Sequence, residues 1–272
     1  MAQIGKMNIL KISRSVDFGV YLDADDLGEI LLPKKFIPAG SREGDEIEVF
    51  IYVDSQGRLI ATSEEPLACV GDFAYLKVTS VSQVGAFLDW GISKDLLVPF
   101  AEQRQKMEEG RYYVVFVYFD KVSRRIAATA KINKYIVKDT AEVSNGQEVE
   151  LLICNRTDLG YNAIVNNQYM GILYNNELFQ NVRTGMKMAG FIKKLREDGK
   201  IDLSLQKQGY ESVLDSTDLV LDKLKRNSGY LPLSDSTSPE KIYEVFGISK
   251  KVFKKTIGAL YKKHIISISD DG

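Results

Sequence analysis

Val84-Gly85-Ala86-Phe87-Leu88-Asp89 is the run on which the organisation of the chain turns, because two other segments take its place when the sequence is laid on itself. With that glycine fixed, Gly19, Gly85 and Gly160 share one column, Gly5, Gly71 and Gly146 stand 14 residues before it, and Gly44, Gly110 and Gly185 stand 25 after it. Ile60, Ile126 and Ile201 make a fourth column, under shifts of 66 and then 75 residues with no gap inside a copy. Four columns that agree over three copies indicate tandem copies of one small domain.

Each copy reads as five short strands. The first gives 9–13, 19–22, 28–32, 45–53 and 59–62, with Ile47, Val49, Ile51 and Val53 alternating onto one face. The second gives 73–79, 85–89, 95–98, 111–119 and 125–129. Short strands separated by Gly, Asp and Ser, with the hairpin turn Asp54-Ser55-Gln56-Gly57, predict a Greek-key barrel of the OB type in ~60 residues. Strand two carries the invariant-register glycine, which predicts either a close backbone approach or a bulge there. Domains of ~60 residues are marginal alone, so neighbouring barrels are expected to pack on one another. The nine extra residues of the longer period fall in 131–144, a polar connection read as a linker or short helix that permits relative motion.

Beyond Ser204 the period changes. Val213, Thr217, Val220, Leu221 and Leu224 form a helical stripe that ends at Asn227-Ser228-Gly229. Ser238-Pro239 caps a second helix stopped by Gly247, and Ser249 caps a third with Phe253, Ile257, Leu260 and Tyr261 on its inner face. Residues 265–268 read as a strand leading into Asp270-Asp271-Gly272. Three helices and a strand form a winged-helix pattern. The predicted fold class is therefore mainly β with a C-terminal α-rich domain. Three tandem five-stranded OB-fold barrels span 1–66, 67–133 and 145–207, and a winged helix spans 212–272.

Composition narrows the function classes. The 272 residues are 44% hydrophobic and 27% charged, as in an ordinary soluble protein. No stretch approaches the ~18 apolar residues of a membrane span and no leader is apparent, so the cytoplasm is the expected location and no membrane partner is expected. Cys69 and Cys154 stand far apart and His264 is the single histidine, so a zinc site is not expected. Without a phosphate-cradling glycine loop or a nucleophile–base pair at a diagnostic spacing, no catalytic residue, metal ligand or cofactor is assigned, and an enzyme is not expected.

OB-type barrels bind single strands on strands two and three, flanked by the loops between strands one and two and between four and five. Phe18, Val84 and Leu159 share one position on that face, Tyr21, Phe87 and Asn162 another, and Pro33, Pro99 and Tyr174 a third, with Tyr161 near it in the last copy. The hairpins between strands four and five carry Arg58 in the first copy, Lys121, Arg124 and Arg125 in the second, and Lys193, Lys194, Arg196 and Lys200 in the third. Lys77 of the second copy joins the candidate set. The third helix adds Lys250, Lys251, Lys254 and Lys255, off its apolar face. Net charge is −1, but it is −5 over 1–70, +2 over 71–145, 0 over 146–211 and +2 over 212–272. The copy with the best aromatics thus has the worst electrostatics for phosphate, and copies two and three are expected to carry more of the binding.

Phe18-Gly19-Val20-Tyr21 and, in part, Val84-Gly85-Ala86-Phe87 resemble the strand-two motif of the S-one domain, the RNA-binding OB-fold repeat of small-subunit ribosomal protein one. Pro33, Pro99 and Tyr174 stand where that family places a histidine. With the segment Gly229-Tyr230-Leu231-Pro232-Leu233, Ser238-Pro239-Glu240 and Ser249-Lys250-Lys251-Val252-Phe253-Lys254-Lys255, nearly the full chain resembles the bacterial conserved virulence factor B family. The resemblance implies a post-transcriptional regulator that acts by binding single-stranded RNA. Two alternatives stand beside it, a regulator that binds duplex DNA through the winged helix, and an adaptor whose acidic first barrel (Glu43, Asp45, Glu46, Glu48) docks a protein partner.

Overall fold

The computed structural model describes residues 1–175, 178, 181–206 and 210–269, of which 210–215 by backbone only. Residue 207, the end of the third predicted domain, the side chain of Val213 and the turn Asp270-Asp271-Gly272 lie outside the described residues. The chain forms two compact units, Met1–Ile136 and Val137–Gly272.

The first unit holds two closed barrels. Barrel one is built from β1 (Met7–Val16), β2 (Gly19–Asp23), β3 (Glu29–Pro33), β4 (Glu46–Val53) and β5 (Leu59–Thr62), ordered β1-β2-β3-β5-β4. Barrel two repeats that order with β6 (Phe73–Val81), β7 (Gly85–Asp89), β8 (Leu96–Pro99), β9 (Tyr112–Asp120) and β10 (Arg125–Thr129). The alternation seen in the sequence fills each barrel, with Ile47, Val49, Ile51 and Val53 all buried. On the other face of β4, Glu46 and Glu48 are exposed but the two residues that follow are buried as well. Phe50 and Tyr52 point out of barrel one into the core of barrel two, where Phe50 meets the edge of Trp90 at 5.4 Å. Neighbouring barrels in this unit therefore do pack on one another.

The glycine at the start of strand two is required by a close approach. A Cβ on Gly19, Gly85 or Gly160 would stand 2.3, 2.2 or 2.1 Å from the carbonyl oxygen of Leu32, Val98 or Leu173 on the adjacent strand. Of the two explanations open at the sequence level, close approach is correct. The bulge lies in strand one instead, where the register shifts between Ile12 and Arg14, Val78 and Ser80, and Ile153 and Asn155.

The isoleucine column needs a correction. Phe50 pairs with Thr62, but Phe116 pairs with Thr129 and Phe191 with Ser204, one residue later than shifts of 66 and 75 dictate. Barrel two takes the extra residue in its hairpin turn and barrel three takes it at a register shift between Ile192 and Lys194. Since strand side chains alternate with period two, Ile60 faces outward toward the second core whereas Ile201 is fully buried inside its barrel. Its counterparts in register are Ala127 and Asp202. A gap is needed after all.

In the second unit, barrel three comprises β11 (Glu148–Thr157), β12 (Gly160–Val165), β13 (Tyr169–Tyr174), β14 (Lys187–Leu195) and β15 (Ile201–Ser204). A 3-10 turn, Ile132–Tyr135, opens the connection before it. The winged-helix region follows as α1 (Tyr210–Arg226), α2 (Pro239–Phe246) and α3 (Lys250–Lys262). The caps are as expected. Ser238 Oγ accepts from Lys241 N–H, Ser249 Oγ accepts from Val252 N–H, and Gly247 ends α2 in the left-handed region at φ 68.

Two expectations here fail. Tyr261 is 54% exposed, and Thr256 takes the inner position beside Phe253, Ile257 and Leu260. At 100° per residue Thr256 lies about 40° from Leu260 and about 60° from Phe253, whereas Tyr261 stands two turns above Lys254 and about 20° from it, on the lysine side. Residues 265–268 are not a strand, because no segment among the described residues pairs with them. Ile266 packs on the helical core instead.

Candidate nucleic-acid interface

Each turn between strands one and two lifts an apolar side chain out of its barrel at the same position. Phe18 is 59% exposed, Val84 58% and Leu159 62%. An exposed apolar residue is unremarkable singly, but here one fold does it three times, directly before the glycine that fixes strand two.

The next outward position of strand two begins a row that crosses four neighbouring strands. In barrel one it runs Tyr21, Leu31, Ile60, Tyr52. In barrel two it runs Phe87, Leu97, Ala127, Tyr118, and in barrel three Asn162, Ile172, Asp202, Lys194. Barrel one closes its own row. The Arg14 guanidinium lies 4.0 Å from the centroid of the Tyr21 ring and is held there by Glu29 at 2.9 Å. Hydrogen bonding from Arg14 and then Ser13 holds the Glu29 carboxyl below the usual carboxylate range. Tyr52, at the other end, is buried and its phenol is pushed up by that burial.

Barrel two leaves its row open. With alanine at the third position, a cavity of about 340 Å³ remains between Phe87 and Tyr118, walled by Trp90 and closed on one side by Tyr52 and Val53 of barrel one. Half-buried Lys94 donates to the Val53 carbonyl, and burial followed by repulsion from Arg125 lowers its ammonium below the ordinary lysine value. Exposed Arg125 also lines this space and donates to the Ser55 carbonyl at 3.3 Å. Tyr118 is pushed up to about 12, first by burial and then by Glu102.

Of the residues singled out in the sequence, the structure thus brings Phe87 and Arg125 into one cavity, with Lys121 and Arg124 exposed on the same hairpin and Arg124 in the left-handed region at φ 55. Lys77 stands opposite Tyr112 on another part of the barrel wall, outside the row. Tyr161 packs partly on the third core. Tyr174 donates to Asp202 at 3.3 Å and accepts from Arg196 at 3.4 Å, and Arg196 is further engaged by Asp198, so much of its charge is neutralised inside barrel three. Lys193 and Lys194 lie along β14 beside that site. On α3, Lys254 pairs with Asp235 at 3.3 Å and Lys250 donates to the Ser236 carbonyl, while Lys251 and Lys255 are exposed. Tyr118, Lys94 and Ala127 were not found by sequence reasoning. Their meeting depends on the register of β8, β9 and β10, for which the misplaced isoleucine column was the misleading signal.

Among the described residues no group of three or more His, Cys, Asp or Glu could hold a metal ion, and no helix is long and apolar enough to cross a membrane.

Family models match the first two barrels and the winged-helix region. The S1 domain family matches residues 4–64 and again 70–130, and the CvfB-like winged helix domain matches 218–272. The chain is 29% identical over 270 residues to the protein YitL of Bacillus subtilis, covering 95% of this chain and 89% of that one. It is 28% identical over 233 residues to conserved virulence factor B of Staphylococcus epidermidis, covering 83% and 78%. Among solved structures, a multidomain protein with nucleic acid binding domains from Streptococcus pneumoniae is 23% identical, with 99% of this chain and 97% of that chain covered, at a TM-score of 0.43.

Proposed function

The chain belongs to the conserved virulence factor B family, and from that premise we propose that it is a bacterial, cytoplasmic protein that binds single-stranded RNA and regulates gene expression after transcription. The observation that carries this reading is the apolar side chain lifted out at Phe18, Val84 and Leu159, beside basic hairpins on barrels two and three. A base stacked on an aromatic ring such as that of Phe18 or Phe87 gains ~1–3 kcal/mol with little regard to sequence, and Val84 and Leu159 add apolar contact at the matching place. Lysines and arginines of the hairpins and of α3 hold phosphates. Several weak sites on one chain add through effective concentration. On this reading the protein acts by binding rather than by catalysis.

Fluorescence anisotropy of a labelled single-stranded RNA against the full chain, over a salt series, tests this. Binding with a logarithmic salt slope of about −0.7 per phosphate contacted is expected. An absence of binding at low salt, or an affinity indifferent to salt, overturns it. Duplex DNA displacing the RNA from the full chain would favour the winged-helix alternative.

A further inference from the structure

The cavity of barrel two differs from an open stacking face, and the three barrels explain how. All three close by the same strand pairing, and all three cross the wall with the same four-position row. Ile60 fills the third position in barrel one and Asp202, bonded to Tyr174, fills it in barrel three. Only in barrel two is that position an alanine, with Leu97 and Tyr118 on either side of it and Phe87 at the far end of the row. A barrel of this kind folds with isoleucine there, so the small side chain is not a demand of the fold. Its effect is to leave room. The volume of about 340 Å³ lies at the lower end of the ~300–1,000 Å³ of ligand pockets, which suits one nucleotide-sized group and not a run of stacked bases.

The walls have the chemistry for one flat, polar-edged ring. Phe87, Leu97 and Ala127 offer apolar contact. The Tyr118 hydroxyl has no hydrogen-bond partner among the described residues. Arg125 keeps guanidinium N–H groups beyond the one given to Ser55, and Lys94 keeps ammonium protons beyond the one given to Val53. Exposed Val84 and Arg125 line the cavity on its solvent side.

We propose that this cavity captures a single unpaired nucleobase, extruded from the bound strand and held between Phe87 and Tyr118 over Ala127, with Tyr52 and Val53 of barrel one forming the far wall. Barrel one then serves the site of barrel two as a wall. The inference rests on the RNA-binding reading and adds to it a discrete base pocket shared by two barrels.

Trp90 is the single tryptophan of the chain, is 2% exposed and lines the cavity, so its fluorescence reports occupancy without a label. The full chain is titrated with unlabelled oligouridylate while Trp90 emission is followed, and in parallel with fluorescein-labelled oligouridylate by anisotropy. The same pair of titrations is run on Ala127→Ile, which installs the residue barrel one carries in register. The expected result is a saturable change in Trp90 emission with the midpoint of the anisotropy curve. In Ala127→Ile that change is lost and affinity falls roughly tenfold, the scale of one stacked base. RNA binding by anisotropy with silent Trp90, or with Ala127→Ile binding as tightly as the parent, overturns the pocket and leaves the RNA-binding reading standing. Should the variant not fold, the emission of the unaltered chain decides alone. No binding in either assay sinks the reading and the pocket together.

Discussion

In barrel one the row Tyr21, Leu31, Ile60, Tyr52 is covered by its own surroundings, with Arg14 over the first ring and the core of barrel two over the last. In barrel two the row Phe87, Leu97, Ala127, Tyr118 keeps a cavity and adds the charges of Lys121, Arg124 and Arg125 beside it. The two barrels share strand order and pairing. They differ in what the outward side chains are used for. Barrel one, the acidic one, turns its aromatic residues into a joint, and barrel two turns the same positions into a surface. An aromatic residue on a barrel strand therefore says little until its cover is known.

The comparison can be broken or sharpened by substitution. The largest effect is expected where the barrels are alike. Gly19→Ala and Gly85→Ala each drive a Cβ into a carbonyl oxygen, at 2.3 and 2.2 Å, and each should lose ~2–3 kcal/mol in denaturant unfolding. A much smaller loss at one of them would show that the two strands are not equivalent. Next, Phe87→Ala should weaken RNA binding by ~1–3 kcal/mol, while Tyr21→Ala, whose ring is already covered by Arg14, should change anisotropy midpoints little. Equal losses would erase the difference between joint and surface.

Smaller again is the electrostatic effect. Reversing Lys121 and Arg124 to Glu should flatten the logarithmic salt slope by about 0.7 for each phosphate no longer neutralised, and reversing Arg58, already paired with Asp54 at 2.8 Å, should leave it unchanged. On α3, Lys251→Glu with Lys255→Glu should cost more affinity than Lys254→Glu, because Asp235 already engages Lys254. The smallest effect concerns acid. Glu29 is held below its ordinary value by Arg14, so the pair is intact above the usual carboxylate range and is lost as pH falls through the lowered value. Both partners are exposed, so an NMR titration of Glu29 should see the shift while thermal stability barely moves.

Much of this was legible in the sequence. Glycine spacing located three barrels, the strands of the first two copies began and ended within a few residues of their predicted bounds, and capping residues set the starts of α2 and α3. These signals are local, since a glycine column or a Ser-Pro pair acts on the backbone beside it. The cavity was legible only in part. Phe87 and Arg125, which line it, were singled out because they sit at motif and hairpin positions, but Tyr118 and Ala127 reach them through strand pairing, which depends on a single added residue. Burial of Phe50 and Tyr52 was invisible for a related reason, because the residue that covers Phe50, Trp90, lies forty residues away in another copy. Tyr261 was assigned to the core by its spacing four residues after Ile257, but the same position stands about 20° from Lys254 and is exposed.

The shared register has a consequence for how the chain is made. Domains of one fold in tandem are prone to exchange strands while they emerge and fold. A fifth strand borrowed from barrel one by barrel two would seat Ile60 at the place of Ala127, its counterpart in register. The larger side chain would occupy the space between Phe87 and Tyr118, so a barrel completed by the wrong sister would close the cavity that its own strand leaves open. Sister copies that differ at one outward side chain carry, in effect, different keys.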